Sequence, residues 1–193
     1  MDDIFLETID FKNKMLLDKV LEWRNDMDTR NNSINTSIIT EDIFHNIIEK
    51  YKSSKYKPLI IYYRNNTDKS IENNPIGILT FIGCNNDNND NNDNNDNNND
   101  NDNNDNNNYF IGINIDPNYR NKQIASQALR KFINEFEIKD KIYAKIKKYN
   151  INSIKLFSKL FVFSHMDEDF MYYYYDFSNK NQVISSNGNF GSL

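Results

Sequence analysis

The chain has 193 residues, the length of one ordinary domain, and 38% of them are hydrophobic, which is enough to bury a core. Its formal net charge is −5, but residues 85–108 contain only 17 Asn and 7 Asp. Without this insert, 23 basic residues face 21 acidic ones, so the remainder carries a charge of +2. The acidic balance therefore belongs to the insert alone.

The composition also excludes several classes of protein. The single cysteine, Cys84, excludes a disulfide framework and a cysteine-based zinc site, and we expect no metal. No window approaches 18 apolar residues, and the first residues lack the basic start and apolar stretch of a signal peptide. We therefore expect a protein of the cytoplasm without membrane contact, with the nucleus left open.

The first half of the chain alternates strand and helix patterns. Residues 4–9 alternate weakly between apolar and polar and predict a strand, and helical spacing of apolar residues follows at residues 16–24. Thr40 has the position of an N-cap for a second helix, whose apolar stripe extends to residue 51. The β-branched and aromatic runs at 59–63 and 76–82 then predict two further strands.

The second half continues with strand 109–115, which ends at the turn signal Asp116-Pro117. The remaining patterns predict helices and strands in alternation, at 124–136, 141–146, 151–161 and 170–177. The order favours one α/β (mixed α+β) domain over residues 1–177, with a mixed, largely antiparallel central sheet flanked by helices. Residues 178–193 form a polar, flexible tail in this interpretation.

The insert at residues 85–108 lies between two predicted strands, where a hairpin loop is expected. Asn and Asp bury no apolar surface, so nothing offsets the entropy of ordering the backbone, and we expect a disordered loop. A hairpin tolerates such an insert because the entropy of loop closure grows only logarithmically with length.

The stretch IGINIDPNYRNKQIASQA at 111–128 combines a strand, a turn, a basic loop and the start of a helix. A helix N-terminus offers free N–H groups and the positive end of the helix dipole. Arg120 and Lys122 stand directly before it. The combination suits a phosphate or pyrophosphate, although a solvated loop explains the basic residues equally well when they are taken alone.

Two motifs, at residues 120–125 and 150–161, give this chain a resemblance to the GNAT superfamily of N-acetyltransferases. The family signature Gln/Arg-x-x-Gly-x-Gly/Ala is matched at Arg120, Ile124 and Ala125. A second family pattern, Asn-x-x-Ser/Ala-x-x-Leu-Tyr-x-Lys-Leu-Gly-Phe, is followed in order by residues 150–161, after the expected strand. The resemblance covers residues 4–177 and treats the insert as an extra loop.

The resemblance implies acetyl-CoA as the cofactor, held between splayed central strands. Backbone groups of Ile113 and Ile115 would run beside the pantetheine arm. The pyrophosphate and the far side of the cofactor would be held by further residues of the two motifs: Arg120, Asn121, Lys122, Gln123, Ile124, Ala125, Ser126, Asn150, Ser153 and Phe157. The implied chemistry is direct transfer of the acetyl group to a primary amine.

Two positions depart from the family pattern. Gln123 stands where the family has a glycine, and a side chain there could hinder close approach of the backbone to the cofactor. Phe157 replaces the tyrosine that commonly protonates the leaving thiolate, and it has no proton to give. A catalytically degenerate CoA-binding or protein-interaction module on the same scaffold is therefore the alternative to an enzyme.

The segment Glu22-Trp23-Arg24-Asn25 resembles a helix end in one subgroup of the family. This subgroup includes ribosomal-protein alanine N-acetyltransferases and enzymes that acetylate an amino sugar on a nucleotide carrier. Trp23, Arg24 and Asn25 would form an aromatic and cationic wall for the acceptor. The alternative is that Trp23 packs the helix onto the sheet while Arg24 makes a surface pair.

The general base is the least specified part of the site. Glu22 and Tyr149 are the candidates, and we expect neither histidine to serve. The tyrosine run at 172–175 offers further candidates, although alternating tyrosines in a strand are more typical of packing. The partners we expect are acetyl-CoA and an amine acceptor, but not nucleic acid, because no dense basic stripe is present. The sequence leaves monomer and homodimer open.

The interpretation of the insert predicts that deleting residues 85–108 leaves CoA binding intact, because the loop carries no part of the implied cofactor site. Isothermal titration of the shortened chain with CoA tests this. Loss of binding in a folded deletion variant would show that the insert contributes to the site.

Overall fold

The computed structural model describes residues 3–64, 73–84, 108–136, 138 and 141–177. The predicted tail and nearly all of the Asn/Asp insert lie outside these described residues, so their interpretation stays a prediction. Among the helices of the described part, none is long and apolar enough to cross a membrane.

Within the described residues, twelve helices and strands follow one another, together with a 3-10 turn at Pro117–Tyr119 that precedes α4. They are β1 (Asp3–Thr8), α1 (Lys14–Asn25), α2 (Met27–Asn32), α3 (Glu41–Ser53), β2 (Leu59–Arg64), β3 (Asn74–Cys84), β4 (Asn108–Ile115), α4 (Ile124–Glu135), β5 (Lys141–Lys147), α5 (Ile151–Phe157), β6 (Val162–Met166) and β7 (Phe170–Asp176).

The strands form one seven-stranded sheet in the order β1-β2-β3-β4-β5-β7-β6. Every neighbouring pair is antiparallel except β4 and β5, which run parallel. The prediction of a mixed, largely antiparallel sheet flanked by helices in one α/β domain is therefore confirmed.

Apolar side chains pack on both faces of the sheet. On one face, Ile124, Leu129 and Phe132 of α4 lie in a buried cluster with side chains of β3, β4, β5 and β7. On the other face, Val20 of α1 and Ile48 of α3 pack against β2 and β3 in a second cluster. This second face is the one on which α1 and α3 lie, and we call it the α1 face.

Two elements escaped the sequence prediction, and both lack the apolar pattern that reveals helices and strands. The six residues of α2 include no buried side chain, and the residue before the helix, Asp26, is its N-cap, whose carboxylate accepts from the Thr29 N–H. All five residues of β6 are exposed at the sheet edge. The predicted helix 151–161 ends at Phe157, so α5 is shorter than its apolar spacing indicated.

The hairpin prediction agrees with the pairing of β3 and β4. The two strands pair from Gly77 opposite Ile115 to Cys84 opposite Asn108. The insert therefore connects the ends of one antiparallel pair, at the opposite end of β4 from the turn that leads to α4.

The close approach of β3 and β4 gives a prediction for Gly77. A Cβ at Gly77 would lie 2.6 Å from the backbone oxygen of Asn114, so an alanine there must push the two strands apart. We expect Gly77→Ala to lower the free energy of unfolding by about 2 kcal/mol in urea titration, the usual effect of overpacking.

Gly83→Ala is the matched control in the same strand, because its Cβ would make ordinary contact with the Tyr109 ring at 3.5 Å. Equal effects of the two substitutions would contradict the proposed close contact.

Candidate active site

The parallel strands β4 and β5 separate soon after they meet. They pair only at Tyr109 with Ile142 and at Phe110 with Tyr143, although β4 continues to Ile115 and β5 to Lys147. We call the gap between their diverging ends the split. It gives part of β4 a free edge in the middle of a seven-stranded sheet.

The backbone of β4 offers hydrogen-bonding groups to the split. The Asp116 N–H donates to the Ile76 carbonyl of β3 at 2.8 Å. Backbone groups in a strand alternate in direction, so those of Ile111, Ile113 and Ile115 point away from β3 and into the split. The Ile115 carbonyl is already engaged, since it accepts from Arg120 Nε at 3.2 Å.

The N-terminus of α4 lies beyond this end of β4 and has no side-chain cap. Its N-cap residue, Gln123, makes no capping hydrogen bond, whereas the other described α-helices are capped by Asn13, Asp26, Thr40 and Asn150. The first N–H groups of α4 are therefore available to an anion, which the helix dipole also favours.

The loop before α4 has the backbone of a glycine-rich turn without containing a glycine. Asn121 has φ 62° and Gln123 has φ 60°, the left-handed conformation that glycine adopts at low cost. Both side chains are exposed. Gln123 thus adopts the conformation of the family glycine while its side chain faces solvent. Backbone conformations of this kind form concave sites for anions.

Arg120 has partners within the protein that the sequence did not reveal. Its Nη2 donates to Asp26 Oδ2 at 2.6 Å and to Thr29 Oγ1 at 2.8 Å. Its Nη1 lies 3.6 Å from Asp28 Oδ2. The sequence predicts this guanidinium beside a pyrophosphate. In the structure it ties α2 to the loop before α4.

The charge of Asp26 is stabilised at this junction. Burial raises the pKa of Asp26, but the Thr29 N–H and the Arg120 guanidinium outweigh it and hold the pKa below its ordinary value of 3.8. The carboxylate caps α2 and pairs with Arg120 at once, so it is ionised wherever the protein works near neutral pH and is unsuited to accept a proton there.

The other end of α2 contacts β5 and the residues after it. The Asn31 carbonyl accepts from Lys147 Nζ at 3.2 Å and from the Tyr149 hydroxyl at 3.3 Å. At the β4 side, the Thr29 hydroxyl lies 3.2 Å from Asn114 Oδ1. Helix α2 therefore spans the split on the α1 face, with contacts to both diverging strands.

The three predicted acceptor residues have structural contacts. Trp23 is 2% exposed, and its indole N–H donates to Asp116 Oδ2 at 3.1 Å, which favours the packing alternative over a substrate wall. The Asn25 side chain pairs with both backbone groups of Ile39 at 2.8 Å. Arg24 lies close to Tyr51: burial raises the pKa of that phenol, and the charge of Arg24 opposes the rise.

The two candidate bases differ in position. Tyr149 is 64% exposed and its hydroxyl contacts the end of α2 at the split. Glu22 is exposed on α1, and the described contacts of this residue involve its backbone, whose carbonyl accepts from the Asp26 N–H.

The remaining predicted residues lie around the split or support it. Asn150 caps α5 by accepting from the Ser153 N–H at 3.1 Å. Phe157 is 3% exposed and packs edge-on against Phe161. Lys122 is exposed, and its Nζ donates to the Asn118 carbonyl at 3.1 Å.

Comparison with known families identifies the architecture. The model of the acetyltransferase (GNAT) family matches residues 17–161, about three quarters of the chain. The chain belongs to the GNAT family. Membership confirms the predicted N-acetyltransferase class and acetyl-CoA as the acetyl donor.

Solved structures share the fold of this GNAT domain. A domain from Methanocaldococcus jannaschii DSM 2661 has a TM-score of 0.62 at 20% identity, covering 91% of this chain and 99% of its own. The ribosomal-protein-alanine N-acetyltransferase from Brucella melitensis reaches 0.59 at 13% identity, covering 89% and 99%. The Campylobacter jejuni N-acetyltransferase PseH, in complex with acetyl coenzyme A, reaches 0.54 at 16%, covering 90% and 99%. Comparison with curated proteins finds no match.

The described residues of this GNAT domain fit acetyl-CoA. The split leaves backbone groups of Ile113 for an extended amide arm. The uncapped first turn of α4, at Ile124, Ala125 and Ser126, suits a diphosphate. The exposed side chain of Gln123 leaves the loop backbone accessible. The fit to acetyl-CoA therefore rests on main-chain groups, because the Arg120 guanidinium is hydrogen-bonded to Asp26 and Thr29.

The pair formed by Asp26 and Arg120 gives a pH-dependent prediction. Asp26→Asn keeps an N-cap for α2 but loses the charge, and we expect the free energy of unfolding to fall by about 1 kcal/mol at pH 7. Because the folded pKa lies below 3.8, the pair stabilises the wild type above that pH and ceases to do so as the pH falls through the folded value.

Urea titrations of both proteins from pH 7 to pH 3 test this. The difference between wild type and variant should shrink at the acidic end, and a constant difference would contradict the role of the charge. Asp26→Ala, which also loses the cap, should be less stable than Asp26→Asn throughout.

Proposed function

We propose that this GNAT domain acetylates a primary amine that enters the split from the α1 face, beside α2. One observation carries the proposal: β4 and β5 pair at only two positions and then diverge next to an uncapped helix N-terminus. An opening of this kind has a free strand edge for an amide-containing arm and an anion site at one end.

The proposed donor site uses main-chain groups for most of its contacts. The N–H groups of Ile124, Ala125 and Ser126 take the diphosphate, together with the loop at 121–123. Ile113 contributes its backbone N–H and carbonyl to the pantetheine arm. Asn150 and Ser153 begin α5 on the β5 side and would line the far side of the donor.

The chain has two chemical tasks once the substrates are in place. Bound acetyl-CoA supplies an acetyl thioester, and the amine must lose a proton before it can attack. Of the two candidate bases, we favour Tyr149 because its hydroxyl lies at the end of α2, beside the proposed entry of the amine. The hydroxyl proton is donated to the Asn31 carbonyl, so the oxygen accepts a hydrogen bond from a water, and that water takes the proton from the ammonium. A β4 backbone N–H that faces the split stabilises negative charge developing on a carbonyl oxygen there.

Phe157 has no acid role in this proposal. It is buried against Phe161 and has no proton to donate, so the leaving thiolate takes its proton from water or from another group. A thiolate is a fair leaving group near neutral pH, so the substitution is compatible with turnover.

The acceptor class is the finer part of the proposal. An amino sugar on a nucleotide carrier is the first candidate, and a protein N-terminus or another small amine is the second. The fold likeness to PseH and to the ribosomal-protein-alanine enzyme is similar, at TM-scores of 0.54 and 0.59, and so favours neither. We prefer the amino sugar because residues 32–39 also resemble the amino-sugar enzymes of this subgroup.

The donor site is tested at Ser126, the third residue of α4. Ser126→Asp places a carboxylate where the diphosphate is proposed, and a negative charge in the first turn does not destabilise a helix. We expect calorimetric titration to show acetyl-CoA binding about tenfold weaker, with an unchanged melting temperature. The control is Ser126→Asn, because asparagine has the shape of aspartate but no charge. This control should bind acetyl-CoA like the wild type.

Release of CoA thiol from acetyl-CoA tests the reaction, with an amino-sugar nucleotide and an N-terminal alanyl peptide assayed side by side. Turnover with either one identifies the acceptor class. Binding without turnover on any amine would favour the CoA-binding module, and absence of acetyl-CoA binding would refute the donor site.

A further inference from the structure

Two buried polar side chains at the split have unused hydrogen-bonding capacity. Asn114 and Lys147 are each 9% exposed. Among the residues that the structure describes, Asn114 Nδ2 finds no hydrogen-bond partner. Lys147 Nζ donates to the Asn31 carbonyl and lies 5.5 Å from the centre of the Tyr149 ring. Burying such groups is costly unless they are paired, so both side chains are suited to a further hydrogen-bond partner.

The two side chains approach α2 from opposite sides of the split. Asn114 belongs to β4 and meets Thr29, whereas Lys147 ends β5 and meets Asn31. Residues two apart in a helix are about 3 Å apart along its axis, so both side chains contact one turn of α2, Asn114 through its Oδ1 and Lys147 through its Nζ. An amide and an ammonium from separate strands thus meet the same short helix.

This place differs from the diphosphate site at α4. Ile111 and Ile115 pack with Ile124 on the α4 face of the sheet. Side chains alternate along a strand, so Asn114 lies on the opposite, α1 face, where it meets Thr29. Lys147 follows Ile146, which is in the α4-face cluster, and likewise extends to the α1 face.

Lys147 also differs from other basic residues of the domain in its neighbours. The charge of Arg120 is paired with the carboxylates of Asp26 and Asp28. The Lys141 ammonium is paired with Asp176 at 3.4 Å. Within the part of the chain that the structure describes, no carboxylate lies within ion-pair distance of the Lys147 ammonium. A buried ammonium with one neutral acceptor is suited to an anionic ligand.

We propose that Lys147 and Asn114 bind an anionic group, a phosphate or a carboxylate, of the amine acceptor. The inference rests on the proposed entry of the acceptor beside α2. It assigns the acceptor to the class of acidic small-molecule amines. The Lys147 ammonium takes an anionic oxygen, and Asn114 Nδ2 adds a directional hydrogen bond.

The test uses two anionic probes on the full chain saturated with CoA: UDP for the phosphate source and L-glutamate for the carboxylate source. Calorimetric titration should give saturable binding of one of them. Lys147→Met keeps the buried stem and removes the charge, so we expect probe binding at least about tenfold weaker. Lys147→Arg keeps the charge and should retain more of the affinity.

Asn114→Leu is the second variant, since it removes the unpartnered donor at similar volume and leaves the Thr29 hydroxyl its contact with Asp26. It should weaken probe binding without lowering the melting temperature measured in the absence of ligand. Both variants should bind acetyl-CoA within twofold of the wild type, as measured by the same titration.

Each result separates the anion site from the donor site. The proposal is supported if the wild type binds one of the two probes saturably and Lys147→Met loses that binding. The probe that binds shows whether the anionic group is a phosphate or a carboxylate. Failure of both probes to bind the wild type overturns it, and so does equal binding by Lys147→Met. Loss of acetyl-CoA affinity in Lys147→Met overturns it as well, because the lysine would then belong to the donor. The titration of Ser126→Asp with acetyl-CoA tests the donor site separately, so its result does not depend on the binding of UDP or glutamate.

Discussion

The separation of β4 from β5 is the constraint on which the site depends. Backbone groups inside a protein must find hydrogen-bond partners, and a parallel strand that leaves its neighbour after Phe110 loses them. Arg120 replaces one of these lost hydrogen bonds, because its Nε donates to the Ile115 carbonyl. The groups of Ile113 stay directed into the gap. The edge that the fold leaves open is thus the edge at which a substrate arm can take the place of a strand.

Arg120 joins this opening to the helix that crosses it. One guanidinium contacts a β4 carbonyl, the N-cap carboxylate of α2 and the Thr29 hydroxyl. The loop that carries Arg120 leads directly into the uncapped end of α4. The proposed donor end and the proposed acceptor side are therefore joined through one side chain, even though they lie on different faces of the sheet.

The architecture was predictable where the sequence repeats a pattern over many residues. The apolar stripe of α4, the N-cap at Thr40 and the β-branched runs of the central strands each indicated the right element. The motif at 120–125 also indicated the right family, which the match over residues 17–161 confirms. Its departure at Gln123 proved compatible with the loop, because the residue adopts the left-handed conformation itself.

Side-chain partners were less predictable, because they join residues far apart in the chain. Arg120 meets Asp26 across 94 positions, and Trp23 meets Asp116 across 93. Nothing local distinguishes an arginine that binds phosphate from one that braces a helix. Asn114 and Lys147 escaped notice for a similar reason. An asparagine within the apolar run IGINI was the available signal, and a lysine that ends a strand is usually solvated.

The shortness of α2 has a consequence for motion. A six-residue helix with no buried side chain has too few bonds to persist alone, so its free energy of opening is set by the polar contacts at its two ends. Segments with few apolar contacts occupy the low end of local stability and open long before the domain unfolds. Helix α2 can therefore lift from the split while the sheet and its two apolar clusters stay intact.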